Sequence, residues 1–312
     1  MRKFSARTAA LAVGVALLTT IGMSPATVTA NAATNDLIYG GGVSDGSAGV
    51  IGVETAPKVY LVFWGWDATD NPAGDPTGEQ TYLVNFLNGL YTSGEHWHDS
   101  TLQYCQGVST GATSCPTSAA HVGSPTAPML GTGTPPANVW YDNSPALSES
   151  YLPVTVHGVS NGIPGEAYKA AQHFGNTSVA SNANAQYIIA LPPKRWPVGF
   201  GDYYCAYHSW DTTAAGNVAF TVLPYMSDFG ITCGGNSVNS GTAGTRDGIS
   251  IVEGHEYGET ITDQFPSGGW LDSSGAENGD KCAWTGLHNI TLPTGTFAVQ
   301  PLWSNSANGC VG

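Results

Sequence analysis

Residues 245–265 read Thr-Arg-Asp-Gly-Ile-Ser-Ile-Val-Glu-Gly-His255-Glu256-Tyr-Gly-Glu259-Thr-Ile-Thr-Asp263-Gln-Phe, and Pro266 follows. Asp247 suits a helix N-terminus, where a carboxylate meets the positive end of the helix dipole, and Pro266 limits the far end. On such a helix His255 and Glu259 stand one turn apart on one face, a stripe they share with Gly248 and Val252. Ile249, Glu253 and Glu256 occupy the other side. Gly248, Gly254 and Gly258 punctuate the run, and each costs about 1 kcal/mol relative to Ala inside a helix. Close approach by another backbone or a ligand would explain that cost.

The spacing carries chemistry. His at i, Glu at i+1 and a metal-binding residue at i+4 is the arrangement of the zincin helix, where two ligands hold one zinc and the intervening Glu reaches its water. Here the second ligand is Glu259, giving His-Glu-x-x-Glu. Carboxylates bind zinc well, and three protein ligands plus water make a catalytic site. Glu256 is then the general base that takes the proton of the water and passes it to the leaving amine. A carboxylate in place of an imidazole makes the site less positive, which weakens the Lewis acid or favours another metal.

A third ligand is expected downstream. Gly268-Gly-Trp-Leu-Asp272-Ser-Ser-Gly-Ala-Glu277-Asn-Gly-Asp280-Lys-Cys282-Ala-Trp284 packs three carboxylates and two Trp into a short stretch. Glu277 is the first choice, and Asp280 joins the metal set as a partner holding the His or a loop amide. Asp272 and His288 are reserves. The same mixture of Asp, Asn, Glu and Gly suits Ca²⁺, so calcium is the alternative to Zn²⁺. His208, beside Trp210 and Asp211, is a candidate electrophile for a tetrahedral intermediate, with a partly buried structural His as the plainer reading. In Glu95-His96-Trp97-His98-Asp99 the two imidazoles would share a face on a strand, but the run reads more simply as a solvated loop.

Working outward, Lys58-Val-Tyr-Leu-Val-Phe-Trp-Gly65 is a buried strand. Residues 77–91 form an amphipathic helix whose Tyr82, Leu83, Phe86, Leu87 and Leu90 fall on one stripe, with Thr77 and Gln80 spaced as a capping box. A shorter helix spans 164–173, and strands cover 186–191 and 218–223. The irregular alternation predicts an α+β fold, with mixed α/β as the variant, in a single disulfide-stabilised, loop-rich domain over residues 56–312. Residues 33–55 read as a flexible terminus, and the stretch from Gly107 to Pro136 as long loops.

The combined pattern Gly-His255-Glu-x-x-Glu259-x-x-Thr-Asp263, Gly-Trp-Leu-Asp272 and Glu277-x-x-Asp280-x-Cys282 resembles the phosphate-induced protein/EXORDIUM-like family and its bacterial relatives. Residues 58–65 resemble that family's first core strand, and Cys205-Ala-Tyr-His208 its cysteine–histidine segment. The resemblance covers about residues 55–285 and implies secretion and a shared fold. It implies no particular activity, since plant members are extracellular and linked to growth without a settled enzymatic role.

Composition agrees with export. The 312 residues carry 9 basic and 23 acidic side chains, a net charge of −14, and only 10% are charged. Nucleic-acid binding needs a basic footprint and is excluded, as is adhesion to an anionic membrane. The basic start, the apolar run Ala9–Ile21 and Ala30-Asn-Ala32 form a signal-peptide pattern over residues 1–32. Its removal takes Arg2, Lys3 and Arg7 but no acid, and shifts the net charge from −14 to −17. Six cysteines in an exported chain imply three disulfides. Of the 15 connectivities open to six cysteines, pairing of neighbours (105–115, 205–233, 282–310) is the working guess.

The resulting expectation is a secreted, monomeric, zincin-like metallohydrolase, most simply a peptidase acting on extracellular protein or peptide. Two alternatives come from other classes. One is a metal-independent carboxylate hydrolase, either a glutamic peptidase or a glycosidase. The other is a non-catalytic extracellular protein that binds glycans or cell wall, or a calcium-stabilised structural protein.

Overall fold

A computed structural model describes residues 35–67, 71–92, 94–146 and 162–312. The expected signal peptide, 1–32, lies outside the described residues. Five strands form the central sheet: β1 (Lys58–Trp64), β2 (Val139–Asp142), β3 (Ala185–Ala190), β4 (Tyr207–Thr213) and β5 (Gly216–Leu223). Their order is β2-β1-β3-β5-β4. The first four run parallel, with Lys58 opposite Ala185 and Ala219 opposite Gln186. Only β4 is antiparallel, joined to β5 as a hairpin that places His208 opposite Thr221.

Period-two alternation sorts the strand residues onto two faces. Val62, Tyr187, Ile189, Phe220 and Val222 turn toward helix α2 (Ile163–His173), which meets them with Ala167, Ala170 and Ala171. Leu61, Phe63, Ile188 and Leu223 turn the other way, toward helices α1 (Glu79–Gly89) and α3 (Asp247–Thr262). The fold is therefore mixed α and β, and its four parallel strands lean toward the α/β variant.

The apolar stripe of α1 is buried as expected, but Thr77 does not cap it. Gly78 takes the cap position in the left-handed region at φ +70°. Both carboxylate oxygens of Asp75 accept from the free N–H groups of Glu79 (2.8 Å) and Gln80 (3.0 Å). The Thr77 N–H instead donates to the Tyr225 hydroxyl. A carboxylate is the stronger acceptor for orphan helix donors, and it also meets the positive end of the dipole.

Residues 33–55, expected to be loose, prove integral from Asn35 onward. Ile38–Tyr39 pairs with Trp270–Leu271, and Val43–Ser44 with Val50–Ile51. Leu37 and Val53 are fully buried. Aromatic and aliphatic residues scattered among glycines are enough to tie this segment down.

All three disulfides join sequence neighbours: Cys105–Cys115, Cys205–Cys233 and Cys282–Cys310. Gly107 to Pro136 is mostly irregular, as expected, with Ala120–His121 pairing back onto Cys105–Gln106. Beyond residue 285, β6 (His288–Leu292) and β7 (Gly295–Val299) form a hairpin against α1 and α3. Phe297 lies against Tyr82 and Phe86, and the Ser250 hydroxyl donates to Ala298 O at 2.6 Å.

Candidate metal centre

Helix α3 spans the expected residues, and all 16 of them are buried. Such a helix must have its polar groups satisfied from outside. At its start the Asp247 carboxylate accepts from the Val238 and Asn239 N–H groups at 2.8 and 2.7 Å. Past its end the Asp263 carboxylate gathers the N–H groups of Ser267, Gly268 and Gly269, between 2.5 and 3.1 Å. That knot turns the chain back, so residues 277–280 can lie beside the helix.

The three helix glycines mark close approaches. A Cβ on Gly248 would stand 1.9 Å from Cys233 O, one on Gly258 2.7 Å from Leu302 Cδ2, and one on Gly254 3.1 Å from the Trp97 ring. Gly279 does the same for the loop, since a Cβ there would come within 2.9 Å of the His255 ring. The loop is fastened by the C-terminal segment: Gln300 Nε2 donates to Gly279 O at 2.8 Å, and Asn278 Nδ2 to Trp303 O at 3.0 Å.

The side chains converge around Glu259. Its Oε1 lies 3.0 Å from His255 Nε2 and accepts from the Asp280 N–H at 2.9 Å. Its Oε2 lies 3.4 Å from His208 Nδ1. His208 Nδ1 is also 3.5 Å from Glu256 Oε2, and its Nε2 is 3.2 Å from Glu277 Oε1. Asp280 Oδ1 stands 3.9 Å from His255 Nε2. Two sets of three ligand atoms result, His255–Glu259–Asp280 and His208–Glu256–Glu259, each within 4.8 Å.

His255, Glu256, Glu259, His208, Glu277 and Asp280 are thus brought together, but two of them trade places. Glu277, the expected third ligand, faces His208. Asp280, the expected supporting partner, is the carboxylate beside His255. The reserves lie elsewhere: Asp272 accepts from Ser274 and pairs with Lys281 at 3.3 Å, and His288 Nδ1 meets Gly286 O. His96 and His98 fall on a turn leading into a short 3₁₀ helix rather than on a strand. The exposed His96 pairs with Asp99, while the buried His98 holds Glu95 at 2.6 Å. The run is therefore only half the solvated loop expected of it.

Burial and mutual charge set the electrostatics. For His255, burial opposes the charged form, but Glu259 outweighs it and pushes the imidazole up to about 10. His208 is likewise raised against burial by Glu277, Glu256 and Glu259. Glu259 is pulled down to about 2 against burial by the two imidazoles. Glu256 is raised by burial, and Asp280 is pushed to about 7 by burial and the Glu259 charge.

Two buried acids near the cluster had no role in the sequence reading. Glu253, one turn before Glu256, is raised well above the carboxylate range by burial and then by Glu256, and neither oxygen makes a hydrogen bond. Glu54 is raised by burial, and its Oε2 accepts from Gln186 at 3.0 Å. The one available signal for Glu253 was its place in a helix with apolar residues on every side. Compared with protein-family profiles, with characterised proteins and with solved structures, the chain finds no match.

Proposed function

We propose that the protein is a secreted, metal-dependent hydrolase of the zincin type, acting on peptide bonds, and a bacterial relative of the EXORDIUM-like family. The observation that carries this is the meeting of His255 Nε2, Glu259 Oε1 and Asp280 Oδ1 beside the buried Glu256. Calcium prefers oxygen donors only, so imidazoles aimed into the cluster fit a zinc-type ion better. Two buried carboxylates, Glu256 and Glu259, with the half-buried Glu277 and Asp280 beside them, also favour a cation. A bound zinc supplies a Lewis acid and an acidified water.

The chain's own residues do the rest. Gly279 lets the loop press on the His255 ring, which fixes its orientation. Glu256, adjacent to the ligand His255 and raised by burial, is suited to accept a proton and return it to the leaving amine. His208, within 3.5 Å of Glu256, holds that carboxylate in place. Export is supported by three disulfides and by the absence, among the described residues, of any helix long and apolar enough to cross a membrane.

The test pairs metal content with hydrolysis of a quenched peptide library. Glu256→Gln should keep the metal held by His255, Glu259 and Asp280 and lose activity by about 10²–10⁴-fold, whereas Glu259→Ala should lose that metal. Wild-type activity in both variants overturns the assignment. One observation favours a second reading, a metal-free carboxylate hydrolase: neighbouring Glu256 and Glu259 are displaced in opposite directions, as in an acid–base pair. Hydrolysis that persists after complete chelation would select it.

A further inference from the structure

We propose that the centre is built for two cations, the second held by His208 Nδ1, Glu256 Oε2 and Glu259 Oε2, with Glu259 as the bridge. This rests on the reading that His255, Glu259 and Asp280 hold the first.

The geometry separates the two sets by the two oxygens of one carboxylate. Glu259 turns Oε1 to His255 and Oε2 to His208. A carboxylate that offers different oxygens to two nitrogen ligands is placed as a bridge, and paired ions in hydrolases sit about 3.5–4 Å apart. The second set is fully assembled by the fold. His208 is fixed on β4 opposite Thr221, Glu256 and Glu259 share a turn of α3, and all three are buried.

The protonation of His208 points the same way. A ring that ligates through Nδ1 carries its proton on Nε2, and ligating imidazoles give that proton to a carboxylate or carbonyl. Glu277 Oε1 stands 3.2 Å from Nε2. Neither atom makes an aligned hydrogen bond, although both are buried. Glu277, expected as a ligand, thus becomes the positioning residue of His208.

Lys281, which follows Asp280, is engaged elsewhere, with Asp272 at 3.3 Å, and leaves the carboxylates of Glu256, Glu259, Glu277 and Asp280 to the two imidazoles and the cations they would hold. Holding a cation by Oε2 still leaves Glu256 its other oxygen for a proton.

The experiment is metal stoichiometry. The purified protein is stripped by chelation, reloaded with Zn²⁺, freed of excess by gel filtration and analysed by mass spectrometry of the metal. Two zinc ions per chain are expected, falling to one in His208→Ala. In calorimetry of Zn²⁺ binding, Glu277→Gln should weaken the second step by about 10–100-fold and spare the first. That variant keeps the test decisive if His208→Ala does not fold. One zinc in the wild type overturns the second site and leaves the proposed function standing, whereas none overturns both. Two zinc ions in a folded His208→Ala, or an unchanged second step in Glu277→Gln, also overturn it.

Discussion

Gly248 lies so close to Cys233 that a Cβ on the glycine would stand 1.9 Å from the Cys233 carbonyl oxygen. Cys233 is bonded to Cys205, two residues before β4, which carries His208. The contact and the disulfide together tie the start of the site helix to the strand that faces it. The distance between Glu256 and His208 is thus set by covalent and backbone contacts.

Gly248→Ala should therefore destabilise the protein, although alanine gains about 1 kcal/mol of helix propensity. Backbone is a neighbour that cannot turn aside, so the net loss is expected at about 1–3 kcal/mol or more. Gly254→Ala meets the Trp97 ring at 3.1 Å and should cost less. Chemical denaturation of both variants measures the difference. A Gly248→Ala protein as stable as the wild type would contradict the close approach.

Breaking the tie should loosen the site. The double variant Cys205→Ala/Cys233→Ala is expected to lose about 2–4 kcal/mol of stability. It should also bind Zn²⁺ more weakly, because His208 is no longer referenced to α3. Cys105→Ala/Cys115→Ala removes a disulfide that staples a remote loop, and should lower stability without changing zinc affinity. Equal zinc affinities in the two double variants would show that the Cys205–Cys233 bond has no part in positioning the site.

What could be read from the sequence divides along a physical line. Strands with β-branched and aromatic runs, such as Lys58–Trp64, declare themselves locally, as do the stripe from Tyr82 to Leu90 and the bounds of α3. Tyr207–Thr213 does not, since Tyr-His-Ser-Trp-Asp-Thr-Thr is polar enough to pass for a loop and becomes a strand only by pairing with β5. The cap of α1 escaped because it depends on the left-handed turn at Gly78, which brings Asp75 rather than Thr77 to the free N–H groups. Membership of the site was legible from residue type. Glu277 went to His208 and Asp280 to His255 because the Asp263 knot and the Gln300 bond fix the loop's path, and both are tertiary.

The Asp263 knot should matter in proportion. Asp263→Asn replaces one acceptor oxygen by a donor that faces backbone N–H groups already committed to the site. Leaving at least one buried N–H unsatisfied costs about 1–3 kcal/mol. Since the knot directs the path to Asp280, zinc affinity should fall as well. Denaturation and zinc titration of this variant give both numbers, and a stability loss with unchanged zinc affinity would mean the loop is positioned by Gln300 and Asn278 alone.

A pH effect separable from the site comes from the other face of the sheet, where Asp142 at the end of β2 meets Glu166 and Lys169 of α2. Glu166 is pushed up to about 8 by burial and by Asp142. Asp142 is held near 2 against burial by the Glu166 proton, Lys169 and Ser144. The two carboxyls share one proton at neutral pH, and they differ in sign. Asp142 contributes stability above its unfolded value of 3.8 that is lost only in strong acid. Glu166 has a folded value above its unfolded 4.5, so the native state binds the extra proton, and stability falls as pH rises from about 4.5 to about 8. Each unit of separation is worth about 1.4 kcal/mol, reduced here by partial exposure of the cluster. Glu166→Gln keeps a donor for Asp142 and removes the titration. Its stability should nearly match the wild type at pH 5 and exceed it at pH 8. Denaturation midpoints of the two proteins across this window isolate Glu166, because groups at the candidate site around Glu259 titrate in both. Parallel curves would show that Glu166 is ionised in the native state and that Lys169, not a shared proton, holds the pair together.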